Sequence, residues 1–197
     1  MKAQNKHLAA LLVSILAPLA AAAQSFSADV IMHAPNGKTT RSKPYRAANM
    51  VRWEMGPISP QAGPMIFLVD LEKQIVYGIS EREKLVVVSH GNTAAGIYPL
   101  AYLAGGSPCA PTGGAQFPLC KQLGEETVNG RRTLKLELTT TWHGRTNTVN
   151  FWFDPKLFVD LKLQYGAGSY ELQNVQESSQ PASLFIVPTG YRQVDNR

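Results

Sequence analysis

Met65-Ile66-Phe67-Leu68-Val69-Asp70, a turn at Asp70-Leu71-Glu72-Lys73, then Ile75-Val76-Tyr77-Gly78-Ile79-Ser80: this stretch decides the fold. Its first run is apolar on both faces of an extended chain, as expected of a central strand covered on both sides. Ile75, Tyr77 and Ile79 then alternate, which reads as a strand folded back on the first. A strand that is greasy on both faces requires something to pack over the sheet.

Working outward, the same grammar of short alternating runs and turn residues recurs. Upstream, Phe26, Ala28, Val30 and Met32 share one face of a strand that ends at the hairpin signal Asn36-Gly37. Lys38 to Ala47 is polar and carries Pro44, which suits an edge or bent strand. Val51, Trp53 and Met55 alternate with Arg52 and Glu54, and Gly56-Pro57 and Gly63-Pro64 close a loop. Downstream, Leu85-Val86-Val87-Val88 is a short buried strand. Ala94 to Leu103 is the best helical candidate, kept short by Gly96 and Pro99.

Strands resume at Val128 and turn at Asn129-Gly130, and Leu134, Leu136 and Leu138 face away from Lys135 and Glu137. A turn at Trp142-His143-Gly144-Arg145 leads to Val149, Phe151 and Phe153, and Asp154-Pro155 ends that strand. Val159, Leu161 and Leu163 follow, then the turn Gly166-Ala167-Gly168, then Tyr170 and Leu172. About ten short strands at this turn spacing predict an antiparallel barrel or sandwich. Gln180 to Tyr191 reads as one helical turn followed by an extended tail.

The first residues have a different character. Met1, Lys2, Lys6 and His7 precede the apolar run Leu8 to Ala17, Pro18 breaks it, and Ala21-Ala22-Ala23 supplies small residues for a peptidase. This is the plan of a secretory signal peptide over residues 1–23, cut between Ala23 and Gln24. Leu8 to Ala23 is too short for a membrane span, which needs roughly 20 apolar residues. No cysteine stands at the cut for lipid attachment, so membrane contact is expected to be peripheral and transient. Residues 24–197 then form a single domain, long enough to bury roughly 70% of its extended-chain surface.

Removing Lys2 and Lys6 from the 19 basic residues leaves 17 against 14 acidic ones, a net charge of only +3. No nucleic-acid role follows from that balance. The two cysteines, Cys109 and Cys120, form an even pair in an exported chain, without Cys-x-x-Cys spacing and without neighbouring histidines. They are expected to form a structural disulfide stabilising by roughly 3 kcal/mol.

Catalytic patterns are missing from the sequence. There is no Gly-x-Ser-x-Gly nucleophile elbow and no zinc-protease spacing, and His33, His90 and His143 fall at strand ends or turns. Glu125 and Glu126 are adjacent and so point to opposite faces of a strand, while Glu81 and Glu83 flank Arg82 in a turn. No catalytic residue, metal ligand or cofactor is assigned. The large apolar side chains are more informative: Met32, Trp53, Met55, Phe67, Tyr77, Phe151 and Phe153 lie on the apolar phases of successive strands. Either they fill an ordinary core, or they line the apolar concavity of a curved sheet and receive a greasy ligand.

The order of these motifs resembles the periplasmic lipoprotein carriers and their relatives, and more closely a group of secreted proteins of unknown function with that fold. The resemblance rests on Phe26-Ser27-Ala28-Asp29-Val30, Arg52-Trp53-Glu54-Met55, Phe67-Leu68-Val69-Asp70 and Gln74-Ile75-Val76-Tyr77. It extends to Gly124, Glu126 and Gly130, and to an ending with Phe185, Pro188, Gly190 and Tyr191. It implies an incomplete antiparallel barrel (a half-barrel) of about 10–11 strands, by the geometry of such sheets. Short helices at Ala94 to Leu103 and Pro181 to Phe185 would lie on its concave side, over a cavity for acyl chains. Two departures stand out: only Gln24-Ser25 precede the first strand, where the carriers have an amphipathic helix, and Arg46 lies only near the place of the arginine that closes the carriers' cavity.

The resulting expectation is a non-enzymatic, monomeric periplasmic protein, or one released from the cell. Its partner would be a lipid or an acylated protein held in the concavity. The alternative is an envelope sensor or protein-interaction module with a filled core. Protein recovered after export should have a mass that begins at Gln24, and alkylation should label neither cysteine before reduction and both after it.

Overall fold

The computed structural model describes residues 25–57, 63–91, 119–142 and 145–196. Their centre is β1 (Phe26–His33), which has a strand on each side: β2 (Thr39–Ala47) and β11 (Gly168–Gln176). From β1 the chain meanders antiparallel through β2, β3 (Met50–Met55), β4 (Met65–Asp70), β5 (Ile75–Ser80) and β6 (Leu85–His90). A second antiparallel meander runs through β7 (Leu119–Val128), β8 (Arg131–Trp142), β9 (Arg145–Asp154), β10 (Val159–Tyr165) and β11. Pairing of β1 with β11 joins the two, and β12 (Arg192–Asn196) adds in parallel to β6. The product is one open 12-stranded sheet in the order β12-β6-β5-β4-β3-β2-β1-β11-β10-β9-β8-β7.

The expected half-barrel is therefore mainly β and open, but its helices need correction. Among the described residues the helical element is a single 3-10 turn, Ala182–Phe185, and no α-helix occurs. Ala94 to Leu103 lies outside the described residues. The 3-10 turn also sits on the opposite face from the one expected. Arg52, which shares a face with Leu68 and Tyr77, donates from Nη1 to the Leu184 carbonyl at 3.0 Å, and Val187 and Tyr191 pack on Ile66, Leu68, Ile79 and Val86. This C-terminal strap is the cover demanded by the two-faced apolar run of β4. Gly190 has a φ of +79°, a left-handed conformation that lets the chain turn sharply into β12.

Three more sequence expectations change. The Lys38 to Ala47 run is an interior strand, not an edge. Pro44 is tolerated because the β1–β2 ladder pairs Ser27 with Tyr45 and Val30 with Ser42 but has no pair opposite Pro44, where an N–H is lacking. β7 starts nine residues before Val128; its run Lys121-Gln122-Leu123-Gly124-Glu125-Glu126 does not alternate because a bulge between Gln122 and Gly124 breaks the phase. The tail is a strand, β12, although all five of its residues are exposed.

Three hairpins share one device. Each turn starts at a short polar acceptor, Asp70, Ser80 or Asp154, and ends four residues later at a left-handed residue, Gln74, Lys84 or Phe158. The backbone N–H of Lys73 donates to Asp70 Oδ1 at 2.9 Å, that of Glu83 to Ser80 Oγ at 3.3 Å, and those of Lys156 and Leu157 to Asp154 Oδ1 at 2.8 and 3.1 Å. The Lys73 backbone N–H, working against burial, holds the Asp70 carboxyl below the usual carboxylate range. Asp154 is the busiest of the three: it is buried and also takes the Arg131 guanidinium, which in turn reaches Glu177 at 2.7 Å.

The core divides by face. The inner face carries the main cluster, from Phe26, Ala28 and Val30 of β1 through Val51, Trp53, Val69 and Val76 on one side and Leu172, Leu163, Phe151 and Leu136 on the other. The outer face is apolar only over β4 to β6, beneath the strap. Elsewhere it is clad by charge: Lys135 and Lys162 lie 5.0 and 4.8 Å from the Trp152 ring, whose Nε1 donates to Glu126 at 2.6 Å.

One buried polar group is not accommodated in this way. Asp160, at the β9–β10 bulge, is 1% exposed, and among the described residues neither carboxylate oxygen has a hydrogen-bond partner. Burial pushes its carboxyl well above the usual carboxylate range.

These two acids have measurable consequences. Asp154→Ala strips an acceptor from two backbone N–H groups and leaves Arg131 short of a partner, so denaturant unfolding should show a loss of about 3 kcal/mol. Asp160 holds its proton to higher pH in the folded state than in the unfolded chain, so its contribution to stability falls as pH rises from about 4 through the raised value. Asp160→Asn removes that titration; its melting temperature relative to wild type should climb between about pH 4 and pH 8, and a pH-independent difference would refute the assignment.

Candidate functional site

Across the first meander the inner face is built of three rows. Nearest the turns at 48–49 and 71–74 lie Phe26, Arg46, Val51, Val69 and Val76. The middle row is Pro44, Trp53, Phe67, Gly78 and Val87, and the third is Val30, Ser42, Met55, Met65, Ser80 and Leu85. In the second meander Met32, Tyr170, Leu163, Phe151 and Leu136 form one row, with Tyr165, Val149 and Leu138 beyond it.

Exposure rises along these rows. Phe26, Val51, Val69 and Val76 are buried at the turn end, whereas Met32, Met55, Met65, Leu85, Leu138, Val149 and Tyr165 are half-buried at the opposite rim. Among the described residues this face is thus buried at the turn end and partly buried at the other, where Val30 and Ser80 are the buried members of the row.

The sequence-predicted residues distribute along this gradient. Trp53 and Phe151 are 0% exposed and Phe153 is 5% exposed, so all three belong to the core. Met32, Met55 and Phe67 are half-buried and pack against that core from the rim side, with the Phe67 ring 6.4 Å from Trp53 and tilted by 41°. Tyr77 is on the other face: it pairs with Leu68, not with Phe67, and packs in the outer cluster under the strap. Gly78 takes the inner position beside Phe67, so the alternation of Ile75, Tyr77 and Ile79 points outward. The sequence reading missed Leu138, Val149 and Tyr165 as rim residues, although their strand phase was visible. Cys120 is half-buried against the inner cluster, and its expected partner Cys109 lies outside the described residues.

Polar groups are set into this apolar face. Trp53 Nε1 and Ser42 Oγ are enclosed and have no hydrogen-bond partner among the described residues. Arg46 is 9% exposed, and burial lowers the pKa of its guanidinium. Tyr170 donates its hydroxyl to the Asp160 carbonyl at 3.0 Å.

The candidate carboxylates are engaged elsewhere. Glu125 forms a two-point pair with Arg132 at 2.6 and 2.7 Å, and Glu126 bonds Lys135 and Trp152; these contacts, Lys135 foremost for Glu126, hold both acids below their usual range. His33 Nδ1 lies 2.9 Å from Thr39 Oγ1 and His90 Nε2 3.3 Å from Asp195 Oδ1, while His143 lies outside the described residues. Among the described residues there is no cluster of three or more potential metal ligands, and no helix long and apolar enough to cross a membrane. Two open depressions flank the sheet: one of about 380 Å³ by Ser42 and Met55, and one of about 460 Å³ by Asn129 and Arg131.

The sequence matches neither a protein-family model nor a curated protein. By structure the chain is similar to an uncharacterized conserved protein from Thermus thermophilus, with a TM-score of 0.57 and 11% identity over 89% of this chain and 93% of that one. It is also similar to MucB of the Pseudomonas aeruginosa MucA/MucB complex, with a TM-score of 0.52 and 12% identity; the alignment covers 88% of this chain but only 59% of that one. A putative outer membrane lipoprotein-sorting protein domain from Vibrio parahaemolyticus aligns over 82% of this chain at 12% identity and a TM-score of 0.26, too distant to build on. At these identities the likeness is one of fold: an open, mainly antiparallel sheet.

Proposed function

We propose that the protein is a non-enzymatic periplasmic binder of an acyl chain, presented by a lipid or by a lipid-modified protein, along the rim half of its inner face. The observation that carries this reading is the gradient of burial on that face. Trp53, Phe151 and Phe153 form a rigid floor, and Met32, Met55 and Phe67 stand half-buried above it. Methionines at the rim suit a ligand of variable shape, because an unbranched thioether repacks at little cost. Each buried methylene contributes about 0.8 kcal/mol, so a chain of about ten carbons gains about 8 kcal/mol before the costs of ordering it. Such binding needs no reacting group, and the reading assigns no catalytic step, cofactor or metal. The periplasm is proposed from the signal-like stretch at residues 1–23, with which the disulfide expected between Cys109 and Cys120 is consistent.

A second reading is favoured by a different observation. The aligned MucB structure was solved in complex with MucA, and among the described residues the present sheet ends in two strands, β12 and β7, each paired on one side only. An envelope protein that adds a strand to either edge would need no open inner face.

Native mass spectrometry of protein taken from its own periplasm separates the two: a stoichiometric lipid adduct supports the first, and a clean apo mass with no uptake of added amphiphile removes it. Within the first reading, Met55→Glu should leave the melting temperature within a few degrees of wild type but abolish the adduct, whereas Phe151→Glu should not fold, because it buries a charge in the core. Retention of the adduct in Met55→Glu would place the ligand elsewhere.

A further inference from the structure

β12 is poorly matched to the strand it covers. Leu85-Val86-Val87-Val88 of β6 pairs in parallel with Arg192-Gln193-Val194-Asp195. Paired residues share a face, so Gln193 and Asp195 lie beside Val86 and Val88 on the outer face, and Arg192 lies beside Leu85 on the inner one. Val194, beside Val87, is the one apolar match. Val86 and Val88 belong to the outer cluster with Ile66, Leu68 and Ile79, and the cluster stops at β6 because β12 has no apolar side chain on that face.

β12 is also weakly held. All five of its residues are exposed, and its ladder is the one parallel pairing among the described residues, a geometry slightly less stable per residue than the antiparallel one. Its side chains contribute the exposed pair of Asp195 Oδ1 with His90 Nε2 at 3.3 Å, which adds little. The anchor of the arm comes just before it. Tyr191 packs on the outer cluster, its ring 4.8 Å from Lys84 Nζ and its hydroxyl 3.2 Å from the same nitrogen. With Val187 and Tyr191 in place, β12 can leave β6 without uncovering Ile66, Leu68 or Ile79. The other end of the sheet is guarded differently: β7 carries a bulge between Gln122 and Gly124 and the charges of Lys121, Glu125 and Glu126, devices that resist strand addition.

We propose that β12 is an exchangeable guard of the β6 edge, displaced by an extended segment of a partner protein that pairs antiparallel with β6 and sets apolar side chains beside Val86 and Val88. The proposal rests on the strand-addition reading above and deepens it by naming the edge and the chemistry of the partner. An antiparallel segment continues the meander of β4, β5 and β6, and apolar side chains on the outer face extend the cluster where Gln193 and Asp195 end it. Without a partner, β12 keeps the apolar edge of β6 from pairing with other chains. The affinity for the partner is lowered in proportion to the fraction of molecules in which β12 is in place.

The probe is a dye-labelled peptide of about eight residues, valine alternating with threonine between terminal lysines, followed by fluorescence anisotropy; a version interrupted by proline is the control. Deleting residues 192–197 should tighten peptide binding by roughly tenfold, and the proline peptide should bind no form. Val87 and Val194 are directly paired, so Val87→Cys with Val194→Cys, once oxidised, locks β12 in place. The locked form should bind roughly tenfold more weakly than wild type, and a thermal melt of each variant checks that it folds. Amide hydrogen exchange of wild type needs no peptide: the amides of β12 should exchange at least roughly tenfold faster than those of β5. If wild type and the locked form bind the peptide equally, the segment adds at another edge, so displacement is wrong and the strand-addition reading stands. If no form binds the peptide, both are overturned. Amides of β12 that exchange as slowly as those of β5 would make β12 part of the cooperative sheet and overturn the displacement.

Discussion

Everything in this sheet depends on the pairing of β1 with β11. The other antiparallel ladders join strands that are neighbours in sequence, so each meander can form locally. The β1–β11 ladder joins residues some 140 positions apart, Val30 with Leu172 and Met32 with Tyr170. Closing so long a loop costs entropy before any contact returns it, and makes this seam the slow step expected in folding. The return is the continuity of the inner cluster: Phe26, Ala28 and Val30 lie between Val51 and Trp53 on one side and Leu172 and Leu163 on the other. Without β1 in place, each meander would present a one-sided apolar sheet to water.

The seam is adjusted rather than ideal. A bulge between Ser27 and Asp29 sets three residues of β11 against two of β1, with Asn174 in the left-handed region and its amide on Asp29. Opposite, Pro44 interrupts the β1–β2 ladder over the same two residues of β1. Ala28 is thus skipped by both ladders, and its hold comes from apolar packing, with Ala28 2% exposed. Bulges of this kind raise local twist and bend a sheet, a route to an open half-barrel in place of a flat one.

How much of this was legible in the sequence varies with the physics involved. Period-2 alternation located β1, β3, β5 and the strands from β8 to β11, because one face of each is buried and the other is not. The apolar run Ile66 to Val69 foretold a second cover, and the strap of Val187 and Tyr191 supplies it. What alternation cannot give is which phase faces which layer. Ile75, Tyr77 and Ile79 are a clean apolar phase, but they face the strap, and it is Gly78 that lies beside Phe67 on the inner face. Polar edge strands escape altogether: β12 exposes every side chain and is held by its backbone, and the bulge in β7 disrupts the one signal that strand had. The shared turn device from Asp or Ser to a left-handed residue was also hidden, since Gln74, Lys84 and Phe158 are not the glycine or asparagine that such a position advertises.

The site was legible only as a list of large side chains, and the structure turns that list into a depth scale. Trp53, Phe151 and Phe153 serve stability first; a ligand cannot reach their level without replacing what covers them. Met32, Met55 and Phe67 are the part of the same face that folding does not fully use. Trp53 lies beside Phe67 and Phe151 shares a row with Met32, so depth on this face is set by local packing across the strands as well as along them. The strap covers the outer face for the same packing reason. Were the cover on the inner face, Ile66, Leu68, Ile79 and Val86 would be left to solvent and the rim would be closed. Placing it outside stabilises β4 to β6 from behind, by burying the one part of the outer face that carries an apolar cluster.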